Sequence, residues 1–122
     1  MKIQAATRLK AYQLIAKEQV ESITVEGLAT SLLKKFGGDL TEKKHNGTQL
    51  TYGIDIRGED MRPKIVEFLD RLGLSRVGKM NGIIDVYPRR YVSSRIKIVR
   101  LTYESGDVCI EIQGTLDMIQ QG

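Results

Sequence analysis

The residues best suited to chemistry are a group of cations in the segment Tyr87–Arg100, whose sequence is YPRRYVSSRIKIVR. No acid occurs between Asp85 and Glu104, so no carboxylate within this stretch compensates the positive charge. Arginine can bind a phosphate through two parallel hydrogen bonds, and a tyrosine ring can stack on a base. The predicted nucleic-acid-binding residues are Arg89, Arg90, Tyr91, Arg95, Lys97 and Arg100.

The same segment also has a purely structural interpretation. Charged side chains keep an exposed strand from pairing with other chains, and tyrosines on small sheets often pack across strands. Alternation along the strand predicts that Arg95 and Lys97 share one face and form a basic ridge. A ridge of this kind could bind a polyanion or simply remain solvated.

A second candidate is the pair Asp55 and Asp85, each of which lies between aliphatic residues of a predicted strand. Both are expected to point away from the helices, where Glu111 could join them and hold Mg²⁺ for phosphoryl chemistry. Cross-strand ion pairs would explain the same residues. A nuclease also requires a nearby base, and Gln113 stands where a lysine would be expected. We therefore predict no catalytic residue, with a metal-dependent nuclease as an alternative.

Cysteine and histidine are too scarce for several other kinds of site. The chain has one of each, Cys109 and His45, whereas a structural zinc site needs about four nitrogen or sulfur ligands. A single cysteine also excludes an internal disulfide and fits a reducing compartment. We expect neither a metal nor a cofactor.

The composition is that of one globular domain spanning residues 1–122. The chain is 41% hydrophobic and carries a net charge of +4, a modest excess that raises the expectation of a polyanionic partner. No apolar run approaches the roughly 20 residues that a membrane span requires, and charges interrupt the N-terminal segment where a secretory signal would be apolar. We expect no membrane association.

Hydrophobic periodicity predicts three helices. The first, Ala5–Gln19, has one apolar stripe and can be peripheral to the domain or bury its stripe in a partner. The second follows an N-cap at Thr24 and ends at Gly37, and the third follows Asp60 and ends at Gly73.

Turn residues predict three β-hairpins. Asn46-Gly47 and Asn81-Gly82 each separate two extended runs, and the third turn lies in the sequence ESGD at residues 104–107. Lysines in the strand before the first turn mark it as an edge. Alternation fails between Ile96 and Tyr103, which predicts a bulge near Val99-Arg100 or burial on both faces.

The sequence thus contains two units that each consist of a helix followed by a hairpin. Either the units arose by duplication, or core periodicity and turn chemistry require similar residues in any unit of this kind. The predicted fold is α+β with two layers, in which the helices cover one face of an antiparallel sheet built from three hairpins, in the order α-αββ-αββ-ββ.

Two segments resemble known families. The opening MKIQAATRLKAYQLIAKE resembles the N-terminal segments of small tailed-bacteriophage proteins, including internal head proteins. This resemblance implies a phage-encoded protein of the virion or of the bacterial host cytoplasm. Residues 55–88, with an Arg-Gly after a strand and a later Lys79-Met80-x-Gly82, are similar to the C-terminal domain of bacterial translation initiation factor 3. Neither resemblance assigns a role to a residue.

Three functions follow as hypotheses. The first is a small non-enzymatic protein that binds nucleic acid through the basic connector and strand. The second is a protein–protein module, either a virion component or an inhibitor of a host protein, with a homo-oligomer as one form. The third is the metal-dependent nuclease.

Overall fold

The computed structural model describes residues 23–91 and 94–116, which form two helices and six strands. The predicted helix Ala5–Gln19 lies outside the described residues. The elements are α1 (Val25–Phe36), β1 (Asp39–Asn46), β2 (Gln49–Arg57), α2 (Arg62–Arg71), β3 (Arg76–Met80), β4 (Ile83–Tyr87), β5 (Ile96–Glu104) and β6 (Asp107–Thr115).

All six strands form one antiparallel sheet in the order β1-β2-β6-β5-β4-β3. The hairpin β5–β6 therefore lies between the two helix–hairpin units, and each unit pairs with it through its own second strand. The outer strands β1 and β3 are the edges of the sheet, which confirms the edge position predicted for the first strand.

One face of the sheet carries the hydrophobic core, and the two helices cover that face. The α1 helix packs on β2 and β6, whereas α2 packs on β5. The helices meet through Phe36 and Phe68, whose rings lie edge to face with centroids 5.6 Å apart. No polar or charged side chain is buried among the described residues. This arrangement confirms the predicted two-layer α+β fold.

The ends of α1 follow the prediction closely. The hydroxyl of Thr24 accepts a hydrogen bond from the Gly27 N–H at 2.9 Å, and Gly37 ends the helix with a φ of 78°. The start of α2 differs slightly, because Met61 is the N-cap and makes no side-chain capping bond. Asp60 instead accepts a hydrogen bond from the Arg62 N–H at 3.1 Å.

Two of the three hairpin turns fall where the sequence predicts them. Asn81-Gly82 and Ser105-Gly106 form two-residue loops in which both residues have positive φ, as a type I′ turn requires. The first turn is shifted by one residue, because Asn46 stays in the ladder opposite Gln49. Its loop begins with Gly47 at a φ of 62°, and glycine in that first position is typical of a type II′ turn.

The irregularity in β5 lies between Ile96 and Ile98, so the bulge predicted near Val99 is wrong. Ile96 pairs with Gly114 and is buried under the helices, while Ile98 pairs with Gln113 on the opposite face. The extra residue at this point is Lys97. From Val99 onward the strand alternates regularly, which the register shift makes possible.

Candidate nucleic-acid interface

The connector between β4 and β5 is held at its start by bonds to the second unit. The Arg89 N–H donates to the carbonyl of Gly73, just after α2, at 3.0 Å. The Arg76 Nε donates to the carbonyl of Pro88 at 2.8 Å. These two bonds fix the backbone that precedes Arg90, so the connector leaves the sheet in a defined direction.

Arg76 belongs to this site, although it lies outside the predicted segment Tyr87–Arg100. It lies opposite Tyr87 in the β3–β4 hairpin, and its guanidinium is 5.3 Å from the centre of the Tyr87 ring. The cation–π contact and the bond to Pro88 place a third guanidinium beside Arg89 and Arg90. The register of the hairpin could have predicted this contact, because counting back from the turn at Asn81-Gly82 pairs Arg76 with Tyr87.

Lys97 and Arg95 lie at the same end of the sheet. Because Val86 pairs with Val99, the first residues of β5 lie beside the last residues of β4. Lys97 is exposed in the bulge, and the Arg95 carbonyl accepts a hydrogen bond from the Thr115 N–H at 2.8 Å. The strand β5 begins at Ile96, so Arg95 precedes it and Lys97 lies in its bulge. These two cations therefore do not form the regular ridge along one strand face that alternation predicts.

We call Arg76, Arg89, Arg90, Tyr91 and Lys97 the basic corner. Arg76, Arg90 and Lys97 are exposed and Arg89 is half-buried. Within residues 23–91 and 94–116, no carboxylate lies within ion-pair distance of these four cations. Their charges add to one another and make this end of the sheet a site of positive potential.

Arg100 is placed differently from the other predicted residues. Its Nε donates to Oδ1 of Asp85 at 2.8 Å and its Nη2 donates to Oδ2 at 3.1 Å, which makes a bidentate ion pair. The hydrogen bond to Asp85, supported by the charges of Asp85 and Glu111, raises the pKa of Arg100. A carboxylate therefore already compensates this guanidinium, and we leave Arg100 out of the basic corner.

The two aspartates of the second candidate are not brought together. Asp55 on β2 and Asp85 on β4 both point to the open face, but β6 and β5 lie between their strands. Three strand spacings of ~4.8 Å place their strands about 14 Å apart, too far for both aspartates to bind one metal ion. The described part of the chain contains no group of side chains with metal-binding geometry.

A shallow depression of about 330 Å³ lies over Gly53 on the open face, where Glu42, Asp55 and Glu111 surround it. Arg100 also lines it, although its guanidinium donates both of its side-chain hydrogen bonds to Asp85. Cys109 lies at its edge, and burial, followed by the hydrogen bond and charge of Asp55, raises the pKa of the thiol. A raised pKa keeps the sulfur protonated at neutral pH and therefore weakly nucleophilic.

The comparisons with known proteins identify no relative. No protein family, curated protein or solved structure matches this chain. Of the described helices, neither combines the length with the apolar content that crossing a membrane requires.

Proposed function

We propose that this protein is a small non-enzymatic binding protein that contacts the phosphate backbone of nucleic acid through its basic corner. The observation that carries the proposal is the gathering of four cations, uncompensated within the described residues, at one end of the sheet. Four other described cations hold a carboxylate, in the pairs Lys44–Glu42, Arg62–Asp60, Arg71–Glu67 and Arg100–Asp85, and further lysines elsewhere on the described surface are unpaired. The four cations of the basic corner have no such partner among the described residues, and phosphate is an anion that would supply one.

The hydrogen bonds that hold the start of the β4–β5 connector also support the proposal. Ordering long cationic side chains on binding costs conformational entropy, and a fixed connector reduces the part of that cost due to the main chain. The bonds from Arg89 to Gly73 and from Arg76 to Pro88 supply this order before any ligand binds. Guanidinium groups then need only adjust their rotamers to reach phosphate oxygens bidentately.

The experiment is a fluorescence anisotropy titration with labelled oligonucleotides at several salt concentrations. Each phosphate contact releases counterions, so the affinity should fall steeply between about 50 mM and about 200 mM salt. The double variant Arg89→Glu, Arg90→Glu should lose at least about tenfold in affinity and show a shallower salt dependence.

The matched control is Lys34→Glu, Lys35→Glu, which makes the same change of charge at two exposed residues in the last turn of α1. We expect this control to bind nearly as tightly as the parent protein. Equal losses in both variants would mean that overall charge, and not the basic corner, governs binding. Absence of binding by the parent protein at low salt would overturn the proposal.

A second candidate function, protein–protein interaction, is favoured by the exposed edge strand β3. All five of its residues are exposed, including Val77 and Met80 at 43% and 75%. A groove of about 700 Å³ between α2 and this edge is lined by Pro63, Val66, Val77, Lys79 and Ile84. A strand added along β3 could cover it. Self-association or a complex that persists at high salt would support this candidate, because apolar contacts are not screened.

A further inference from the structure

Tyr91 is the most exposed aromatic residue of the described chain. Its side chain is 100% exposed, two residues after the Arg89 N–H that bonds to the carbonyl of Gly73. Leaving an aromatic ring in water forgoes the burial that usually stabilises such a residue. Neither the core nor the sheet uses this ring, so a role in packing does not account for it.

The backbone of Tyr91 is also unusual, since its φ of 64° lies in the left-handed region. Two other described residues that are not glycine share this conformation, Asn81 and Ser105, and both form hairpin turns with a following glycine. Tyr91 has neither a small side chain nor a glycine after it. A bulky residue in this region is uncommon, and such outliers concentrate at binding sites where the surroundings hold them.

The remaining tyrosines of the described chain each have a structural contact that Tyr91 lacks. Tyr52 is buried beneath the helices, Arg76 lies over the ring of Tyr87, and Arg62 lies over the ring of Tyr103. Tyr91 keeps both faces of its ring open to solvent, directly after Arg90 in the sequence. An open aromatic face next to arginine is the combination that binds bases and phosphates of single strands.

We infer that the basic corner binds single-stranded nucleic acid, with the ring of Tyr91 stacked on an unpaired base and Arg89 and Arg90 on the flanking phosphates. This inference rests on the proposed function and narrows its ligand class. In a duplex both faces of each internal base are already stacked on neighbours, so the ring of Tyr91 would find no partner there. Single-stranded DNA and RNA share the base faces and phosphates involved.

The test compares oligothymidylate and oligouridylate of about 12 nucleotides with a DNA duplex of the same length, by fluorescence anisotropy at several salt concentrations. Three variants are needed. Tyr91→Phe keeps the ring, Tyr91→Ala removes it, and Tyr91→Gly removes it while suiting the left-handed backbone. Thermal unfolding of each variant verifies that the fold is retained.

We expect the alanine and glycine variants to lose about 5- to 100-fold in affinity for single strands, with an unchanged salt dependence, while the phenylalanine variant binds like the parent. The parent protein should bind the duplex more weakly than the single strands, and none of the three substitutions of Tyr91 should change the affinity for the duplex. Loss with alanine but not with glycine would assign the effect to the backbone and would overturn the stacking role.

The outcomes separate this inference from the proposed function. Equal affinity for duplex and single strands, with no effect of Tyr91→Ala but a clear loss in Arg89→Glu, Arg90→Glu, would overturn the single-strand preference and leave the basic corner intact. Absence of binding to all three nucleic acids by the parent protein would overturn both.

Discussion

The two helix–hairpin units lie at opposite edges of one sheet, and their helices are buried to different extents. In the first unit α1 buries Val25, Leu28, Ala29 and Leu32 over β2 and β6. In the second unit α2 buries only Ile65 and Leu69, and Val66 remains half-buried beside the exposed edge strand β3. The same local pattern of helix, strand, turn and strand therefore supports two different amounts of core.

Because the two helices bury different amounts of apolar surface, we expect the two units to contribute differently to stability and to binding. The first unit contributes more buried apolar surface and should dominate stability. The second unit holds the basic corner, because Gly73 follows α2 and Arg76 begins β3, and both bond to the connector. A unit that contributes less to the core has more exposed surface with which to contact a ligand.

The largest effect that tests this comparison is the truncation of one apolar side chain in each helix. Leu28→Ala in α1 should lower the free energy of unfolding by about 2–5 kcal/mol, because Leu28 is fully buried and its removal leaves a cavity. Val66→Ala in α2 should cost less than about 1 kcal/mol, because Val66 is already partly in solvent. Urea denaturation of both variants gives the two numbers. Similar costs would contradict the unequal burial.

Much of the fold follows from local pattern, and the site follows only in part. The apolar spacing of α1 and the glycine at 37 defined that helix well, because both signals act within one element. The sequence predicts the first turn one residue early, at Asn46-Gly47, because glycine is also suited to the first position of a different turn type. The segment around Arg76 does not predict its part in the site, because that part depends on a partner across the hairpin.

The separation of Asp55 from Asp85 shows what local pattern cannot supply. Both aspartates occupy matching positions of the two units, and their direction away from the helices is correct. Their distance depends on the insertion of β5 and β6 between the units, which is a long-range pairing. The compensation of Arg100 by Asp85 arises from the same pairing and has no signature in the sequence around Arg100.

A smaller effect distinguishes the starts of the two helices. Thr24→Ala should cost about 1 kcal/mol, because it leaves the Gly27 N–H without its acceptor at any pH. Asp60→Ala should cost less than about 1 kcal/mol, since the Asp60–Arg62 pair lies at the surface. Urea denaturation at neutral and at progressively acidic pH measures both.

The pH dependence separates the two variants. The hydrogen bond from Arg62 lowers the pKa of Asp60, so Asp60 contributes stability above the pKa that it has in the unfolded chain. That contribution disappears as the pH falls through the lowered pKa of the folded state. The deficit of Asp60→Ala should therefore shrink in acid, whereas the deficit of Thr24→Ala should persist. A deficit of Asp60→Ala that grew in acid would contradict the ion pair.

The smallest effect concerns the matching aspartates themselves, which contact different groups across the sheet. Asp55 lies opposite Cys109 and raises the pKa of its thiol, in addition to the effect of burial. Asp55→Asn removes the negative charge, so the thiol pKa should fall towards its ordinary value and the thiolate fraction should rise. Alkylation of Cys109 by iodoacetamide at mildly alkaline pH should then accelerate by roughly two- to fivefold.

Asp85→Asn is the matched control, because Asp85 faces Arg100 and β5 lies between its strand and that of Cys109. It should leave the alkylation rate unchanged and lower the free energy of unfolding by less than about 1 kcal/mol, through loss of a partly exposed ion pair. Equal acceleration in both variants would mean that general loosening of the sheet, and not the charge of Asp55, protects the thiol. Acceleration confined to Asp55→Asn would instead show that these two aspartates, at equivalent positions of the two units, have different surroundings. The β5–β6 hairpin causes this difference because it lies between the units.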